Sequence, residues 1–165
     1  MSNSKVLAKS KKILDDTKLN LVERLQKLVD LLNHEKDKYD WVGFYFAKHS
    51  EKTLHLVPFS GEPTDHIVIP FGKGICGQVA ESNNTFLVDD VNAQGNYIAC
   101  SLNVKSEIVV PIFVNNQNIG QIDIDSNTAN AFSKEDEALL ESINQMIAQV
   151  IEKENIQVLD LVEYK

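Results

Sequence analysis

IPFGKGICGQVAESNNTFLVDDVNAQGNYIACSLNVKSEIVVPIFVNNQNIGQIDIDS, residues 69 to 126, holds both cysteines of the chain, Cys76 and Cys100, and a carboxylate trio of Glu107, Asp123 and Asp125. Its last third decides the fold. Glu107–Val114 and Ile119–Asp125 alternate as strands on either side of the polar turn Asn115-Asn116-Gln117-Asn118, which is the pattern of a hairpin. In the second strand Gly120, Ile122 and Ile124 share one face, and Gln121, Asp123 and Asp125 share the other. The even face is core. The odd face is either a wet outer surface or the wall of a polar pocket. Register decides where Glu107 goes: a three-residue loop pairs Glu107 with Asp125 and Val109 with Asp123, whereas a two-residue loop turns Glu107 to the opposite face.

Upstream, Gly72-Lys73-Gly74-Ile75-Cys76-Gly77 formally matches the G-x-G-x-x-G dinucleotide fingerprint. The helix that follows, Gly74–Ser82, is too short for a βαβ crossover, and a hairpin lies downstream where a parallel strand would be needed. The glycines fit better as a sharp strand-to-helix turn. That turn places Cys76 in the first helical turn, where exposed backbone N–H groups favour a thiolate.

Further outward, Asp40–Lys48 (DWVGFYFAK) reads as a strand with Val42, Phe44 and Phe46 on the core face and Trp41, Gly43 and Tyr45 on a face fit to line a pocket. Thr53–Phe59, His66–Phe71 and Thr85–Asp89 read as further strands, and residues 91–104, around Cys100, as irregular. Residues 4–16 read as a polar helix. Leu19–Glu35 carries a 3.6-period stripe of Leu21, Val22, Leu25, Leu28, Val29 and Leu32, which is either core or a dimer face. Ser133–Glu154 reads as a closing helix with a capping box at Ser133 and Asp136, and the last ten residues as a strand or tail. Helices at both ends and strands that do not alternate with helices point to an α+β fold: an antiparallel sheet with the helices packed on one face.

With 165 residues the expectation is one domain, with its core at about 19–154 and a tail at 156–165. The net charge of −8, with no basic cluster, argues against nucleic-acid binding. No window approaches the roughly 20 apolar residues of a membrane span, and the N-terminus lacks the apolar centre of a signal peptide. A cytoplasmic setting with reduced thiols is expected. Three converging carboxylates would repel one another and keep at least one protonated near neutral pH. A metal is the rival use, but no His falls inside the motif and no calcium-loop spacing is present, so no metal is expected.

Phe71–Gly77 (FGKGICG), Ile98–Cys100 (IAC), Ser106–Pro111 (SEIVVP), Gly120–Ser126 (GQIDIDS) and Asp40–Tyr45 (DWVGFY), in this order and spacing, resemble the free methionine-(R)-sulfoxide reductases, small proteins of the GAF fold. The resemblance covers roughly residues 20 to 150. It implies a GAF-like antiparallel sheet of five to six strands, with N- and C-terminal helices on one face and a ligand pocket on the other. It implies Cys100 as the nucleophile, Cys76 as a cysteine able to form a disulfide with it, and Glu107, Asp123 and Asp125 as substrate-binding carboxylates, with Asp125 also counted among the catalytic groups. Trp41 and Tyr45 would form the aromatic wall. The implied reaction reduces free L-methionine (R)-S-oxide. A raised-pKa carboxyl protonates the sulfoxide oxygen, the Cys100 thiolate attacks sulfur and is left as a sulfenic acid, and Cys76 condenses with it to a disulfide. A dithiol carrier such as thioredoxin would reset the enzyme, with no organic cofactor or metal, and a homodimer is implied. The chain departs from the family in two places. His66 stands where a third, recycling cysteine is common, and could tune a nearby thiolate; the Cys100 loop reads Asn96-Tyr97-Ile98-Ala99-Cys100-Ser101 where GHIACD is common. The alternative is a non-catalytic GAF-type sensor or binding module for an amino-acid-like ligand.

Overall fold

The computed structural model describes residues 1–93 and 103–163. Two helices come first, α1 (Asn3–Leu14) and α2 (Leu21–Glu35), followed by β1 (Trp41–Lys48), β2 (Thr53–Ser60) and β3 (Val68–Pro70). A short helix α3 (Gly74–Ser82), strand β4 (Phe86–Val88), and the hairpin β5 (Ser106–Val114) and β6 (Gln117–Ser126) come next, then α4 (Lys134–Lys153) and α5 (Val158–Val162). The strands make one sheet in the order β3-β2-β1-β6-β5-β4, with every neighbouring pair antiparallel. This is the antiparallel α+β arrangement expected, with six strands. The segment after residue 156, expected as strand or tail, is α5; it is anchored by buried Leu161.

One face of the sheet is the main core. Val42, Phe44 and Phe46 of β1, Ile108, Val110 and Ile112 of β5, and Ile122 and Ile124 of β6 pack with the apolar sides of α1, α2 and α4. The α2 stripe is spent here: Leu21, Leu25, Leu28, Val29 and Leu32 are buried in the chain's own core, so they are not left over as a dimer face. The helix starts where Asn20 and Glu23 cap each other reciprocally, with Asn20 Oδ1 accepting from Glu23 N at 2.9 Å and Glu23 Oε1 from Asn20 N at 3.1 Å. The box expected at α4 also forms: Asp136 Oδ2 accepts from Ser133 N at 2.8 Å. The other oxygen of Asp136 accepts from the Tyr39 hydroxyl at 2.5 Å. Burial and that bond together push the Tyr39 hydroxyl pKa far up, so the phenol keeps its proton.

The hairpin meets the carboxylate pairing by an unexpected route. Its turn is two residues, Asn115-Asn116, both at positive φ as a type I′ turn requires, because β6 already begins at Gln117. A two-residue turn alone would send Glu107 to the core face. A bulge between Ile112 and Phe113 and their partners Gly120 and Asn118 inserts Ile119 and shifts the register by one. Beyond it Glu107 faces Asp125 and Val109 faces Asp123. Asparagines and a bulge therefore do the work that the sequence reading gave to a longer loop.

Candidate active site

On the second face of the sheet the register stacks two rows across three strands. Trp41, Asp125 and Glu107 form one row, and Gly43, Asp123 and Val109 the next. Helix α3 lies over this face, with Ile75, Cys76 and Val79 packed against Tyr45, Ile69 and Val109. The glycine run delivers it as a turn rather than a nucleotide cradle. Gly72 and Gly74 take φ of 86° and 62°, and the Gly72 N–H donates to the Gly77 carbonyl at 2.8 Å. Lys73 caps the helix and Cys76 sits in its first turn.

Cys76, Glu107 and Asp123 therefore meet although the sequence separates them widely. All three are buried, and their donor atoms lie within 4.8 Å of one another. Cys76 Sγ donates to Glu107 Oε2 at 3.9 Å. Asp123 is 1% exposed and neither of its oxygens has a hydrogen-bond partner in strict geometry. Burial raises its pKa; the closeness of Glu107 and Cys76 pulls the other way without cancelling the shift. Tyr45, His66 and Lys73 complete the lining of this small cavity, which has room for about one water molecule. The Tyr45 hydroxyl donates to the His66 carbonyl at 2.7 Å and so fixes this edge of the wall.

The remaining expected residues open on a second cavity of about 340 Å³, lined by Asp40, Trp41, Gly61, Glu62, Asn103, Val104, Asp125 and Asn127. Trp41 lines this second space and is absent from the lining of the first. Its indole stacks on Phe59 at 5.7 Å, lies 6.5 Å from the Tyr45 ring, and donates from Nε1 to the Glu62 carbonyl at 3.0 Å. Gly43 is small for its sake: a Cβ there would stand 2.3 Å from Trp41 Cη2. The structure thus joins Glu107 and Asp123 to Cys76 and turns Asp125 toward the Trp41 cavity. Cys100 lies outside the described residues, so its position relative to Cys76 and His66 is not part of this geometry. Asn103, three positions later in sequence, borders the Trp41 cavity.

Sequence reasoning missed three contributors. Asp40 and Glu62 add negative charge beside Asp125, and Gln121 is completely buried on the site face with neither side-chain heteroatom partnered. Alternation along β6 already placed Gln121 on the Asp123 face; the signal was present but unused.

Comparisons with known proteins agree with this geometry. The family model described as GAF domain matches residues 18–152. The chain is 41% identical to protein YtsP of Bacillus subtilis, over 72% of this chain and 75% of that one. It is 39% identical to the free methionine-R-sulfoxide reductase of Saccharomyces cerevisiae, over 81% of this chain and 77% of that one. Among solved structures, the free methionine-R-sulfoxide reductase of Neisseria meningitidis in complex with its substrate superposes with a TM-score of 0.87 at 32% identity, covering 93% of this chain and 90% of that one. By the family model that spans most of its length, by its identity to a curated relative and by its superposition on a solved one, this chain belongs to the free methionine-R-sulfoxide reductases, oxidoreductases built on the GAF fold.

Proposed function

We propose that this protein reduces free L-methionine (R)-S-oxide to L-methionine by thiol chemistry at Cys100, with Cys76 as the resolving thiol. The observation that supports this most is Asp123: a buried carboxyl of raised pKa next to a thiol and a second carboxylate. A sulfoxide oxygen is a poor leaving group until protonated, and a carboxyl that keeps its proton near neutral pH can supply it. The acid's role therefore passes from Asp125 to Asp123. Asp125, with Asp40 and Glu62 around the Trp41 cavity, suits the ammonium group of a free amino acid, and the indole face suits the sulfonium character that develops on sulfur. Asn103 borders that cavity.

In balanced form, the sulfoxide oxygen passes to Cys100 as a sulfenic acid and methionine leaves. Cys76 then condenses with the sulfenic acid, releasing water and forming a disulfide. A thioredoxin-like dithiol reduces that disulfide, and no organic cofactor enters the cycle. The same reading takes the protein as a cytoplasmic homodimer, a state that light scattering of the purified chain reads directly.

The decisive assay offers purified protein the two sulfoxide epimers, free and peptide-bound. Turnover is expected with the free R epimer, and rates about 100-fold lower or less with the others. Tight binding of the R epimer without turnover would establish a sensor instead.

Asp123→Asn tests the acid directly. Turnover should fall about 100-fold or more, while the protein becomes more stable at neutral pH. The sign follows from the raised pKa. Folding favours the protonated carboxyl, so the contribution of Asp123 is fully present below the ordinary value of 3.8 and is lost as pH rises through the folded value. Asparagine cannot ionise and escapes that loss. A gain of about 1 kcal/mol, or roughly 2–4 °C in Tm, is expected at pH 7.5 and none at pH 3.5. Equal melting shifts at both pH values would refute the assignment.

A further inference from the structure

The donor set that closes the small cavity is unusual for a site whose only task is to hold an organic substrate. A cysteine sulfur and two carboxylates, all buried, each bring a donor atom within 4.8 Å of the other two; Asp123 brings one oxygen to the group, and both of its oxygens are buried without a hydrogen-bond partner. His66 borders the same cavity, although it lies outside the carboxylate motif in sequence. A thiolate with two carboxylates has the donor types and charge of a site for a thiophilic divalent cation.

We propose that Cys76, Glu107 and Asp123 bind a zinc-class divalent cation, and that this cation is an inhibitor competing with substrate. A tetrahedral zinc holds sulfur and oxygen ligands about 3.5 Å apart and oxygen pairs about 3.3 Å apart. Cys76 Sγ and Glu107 Oε2, at 3.9 Å, would close by a few tenths of an ångström, and the other separations, which reach up to 4.8 Å, by about an ångström or more. The cavity accepts an ion, having room for about one water-sized body. Sulfur in the set selects zinc, cadmium or cobalt over magnesium or calcium, which prefer oxygen and more ligands. Binding expels the Cys76 thiol proton and any proton shared by the carboxyls, so affinity falls as pH falls. No electrons move. The cation ties up both the resolving thiol and the proton donor; this inhibitory consequence rests on the reductase reading, whereas the binding itself does not.

The test uses the reduced, metal-free Cys100→Ser chain, in which Cys76 is the sole thiol. Titration with cobalt(II) chloride should produce a near-ultraviolet thiolate-to-cobalt charge-transfer band with saturating behaviour. Adding Cys76→Ser should remove the band, and adding Asp123→Asn should weaken affinity about tenfold or more. Absence of the band in the Cys100→Ser chain overturns the proposal, as does affinity unchanged by Asp123→Asn in a chain that melts cooperatively. In the wild type, zinc chloride should raise the apparent KM for methionine sulfoxide with kcat unchanged; a change in kcat alone overturns the competitive role. If the protein proves to be no reductase, the cobalt spectrum still decides whether the cation site exists.

Discussion

Cys100→Ser should abolish methionine sulfoxide turnover, lowering it by three orders of magnitude or more, while Cys76→Ser should leave a single round intact. The difference follows from which step each thiol serves. A serine hydroxyl is hardly ionised near neutral pH and cannot take up the sulfoxide oxygen, so Cys100→Ser stops the first bond-making event. In the proposed cycle Cys76, buried in the first turn of α3 against Glu107, enters only once the sulfenic acid exists. Its serine variant should release about one methionine per chain in a rapid-mixing experiment and then stall when thioredoxin is the reductant. A small external thiol, which attacks the sulfenic acid itself, should restore part of the steady-state rate. A burst from Cys100→Ser would overturn the assignment of the nucleophile, and an unimpaired thioredoxin-coupled rate in Cys76→Ser would show that recycling runs without an internal disulfide. The second outcome bears on His66, which stands where a third cysteine is common in the family.

The largest stability effect is expected on the far side of the sheet, at Arg24→Ala. Arg24 interrupts the apolar stripe of α2 and is 2% exposed. Its two terminal nitrogens each donate to a different oxygen of Glu154 at 2.7 Å, Nε donates to the Leu19 carbonyl at 2.9 Å, and Nη1 also reaches the Leu14 carbonyl at 3.1 Å. One guanidinium thus ties the end of α1, the linker to α2 and the end of α4. Alanine would leave two carbonyls and a carboxylate without that partner, at a cost of about 3–5 kcal/mol, or a Tm drop of roughly 6–20 °C for a chain of this size. Lysine should recover less than half, because a single ammonium cannot make the bidentate pair. The pair also has a pH signature. The hydrogen bond from Arg24 holds the Glu154 carboxyl below its ordinary value, so its contribution is present above the unfolded pKa and is lost as pH falls through the folded one. Wild type and Arg24→Ala should therefore converge in acid. A loss under 1 kcal/mol in urea unfolding at pH 7 would show that the cluster is ornamental.

Much of this architecture was legible because a strand has a period of two. Val42, Phe44 and Phe46 against Trp41 and Tyr45, and Ile122 and Ile124 against Asp123 and Asp125, separate core from site by alternation alone. The glycine turn was legible because glycine takes the positive φ of Gly72 and Gly74 more readily than any other residue. What alternation cannot show is which residues meet from distant elements. The pairing of Cys76 with Glu107 and Asp123 depends on α3 crossing back over the sheet, and His66 reaches the same cavity through the short β3 edge. The roles of Arg24 and of α5 were hidden for a related reason: a charged residue in a stripe and a five-residue helix carry almost no local signal, and tertiary packing alone decides them.

The bulge at Ile119 bears on how this family can vary in length. Surface hairpin tips ordinarily accept insertions and deletions freely. Here the side of the sheet on which Glu107 emerges is a matter of parity: an even turn plus one extra residue gives the functional face. With Ile119 retained, loss of the bulge under the same two-residue turn would exchange inside and outside for the β5 side chains relative to β6, and would press the Glu107 carboxylate against Ile124. Deleting Ile119 itself would close the bulge and leave Glu107 opposite Asp125, so a change of length in this stretch of β5–β6 keeps the acid in its pocket only where turn and bulge together hold that register.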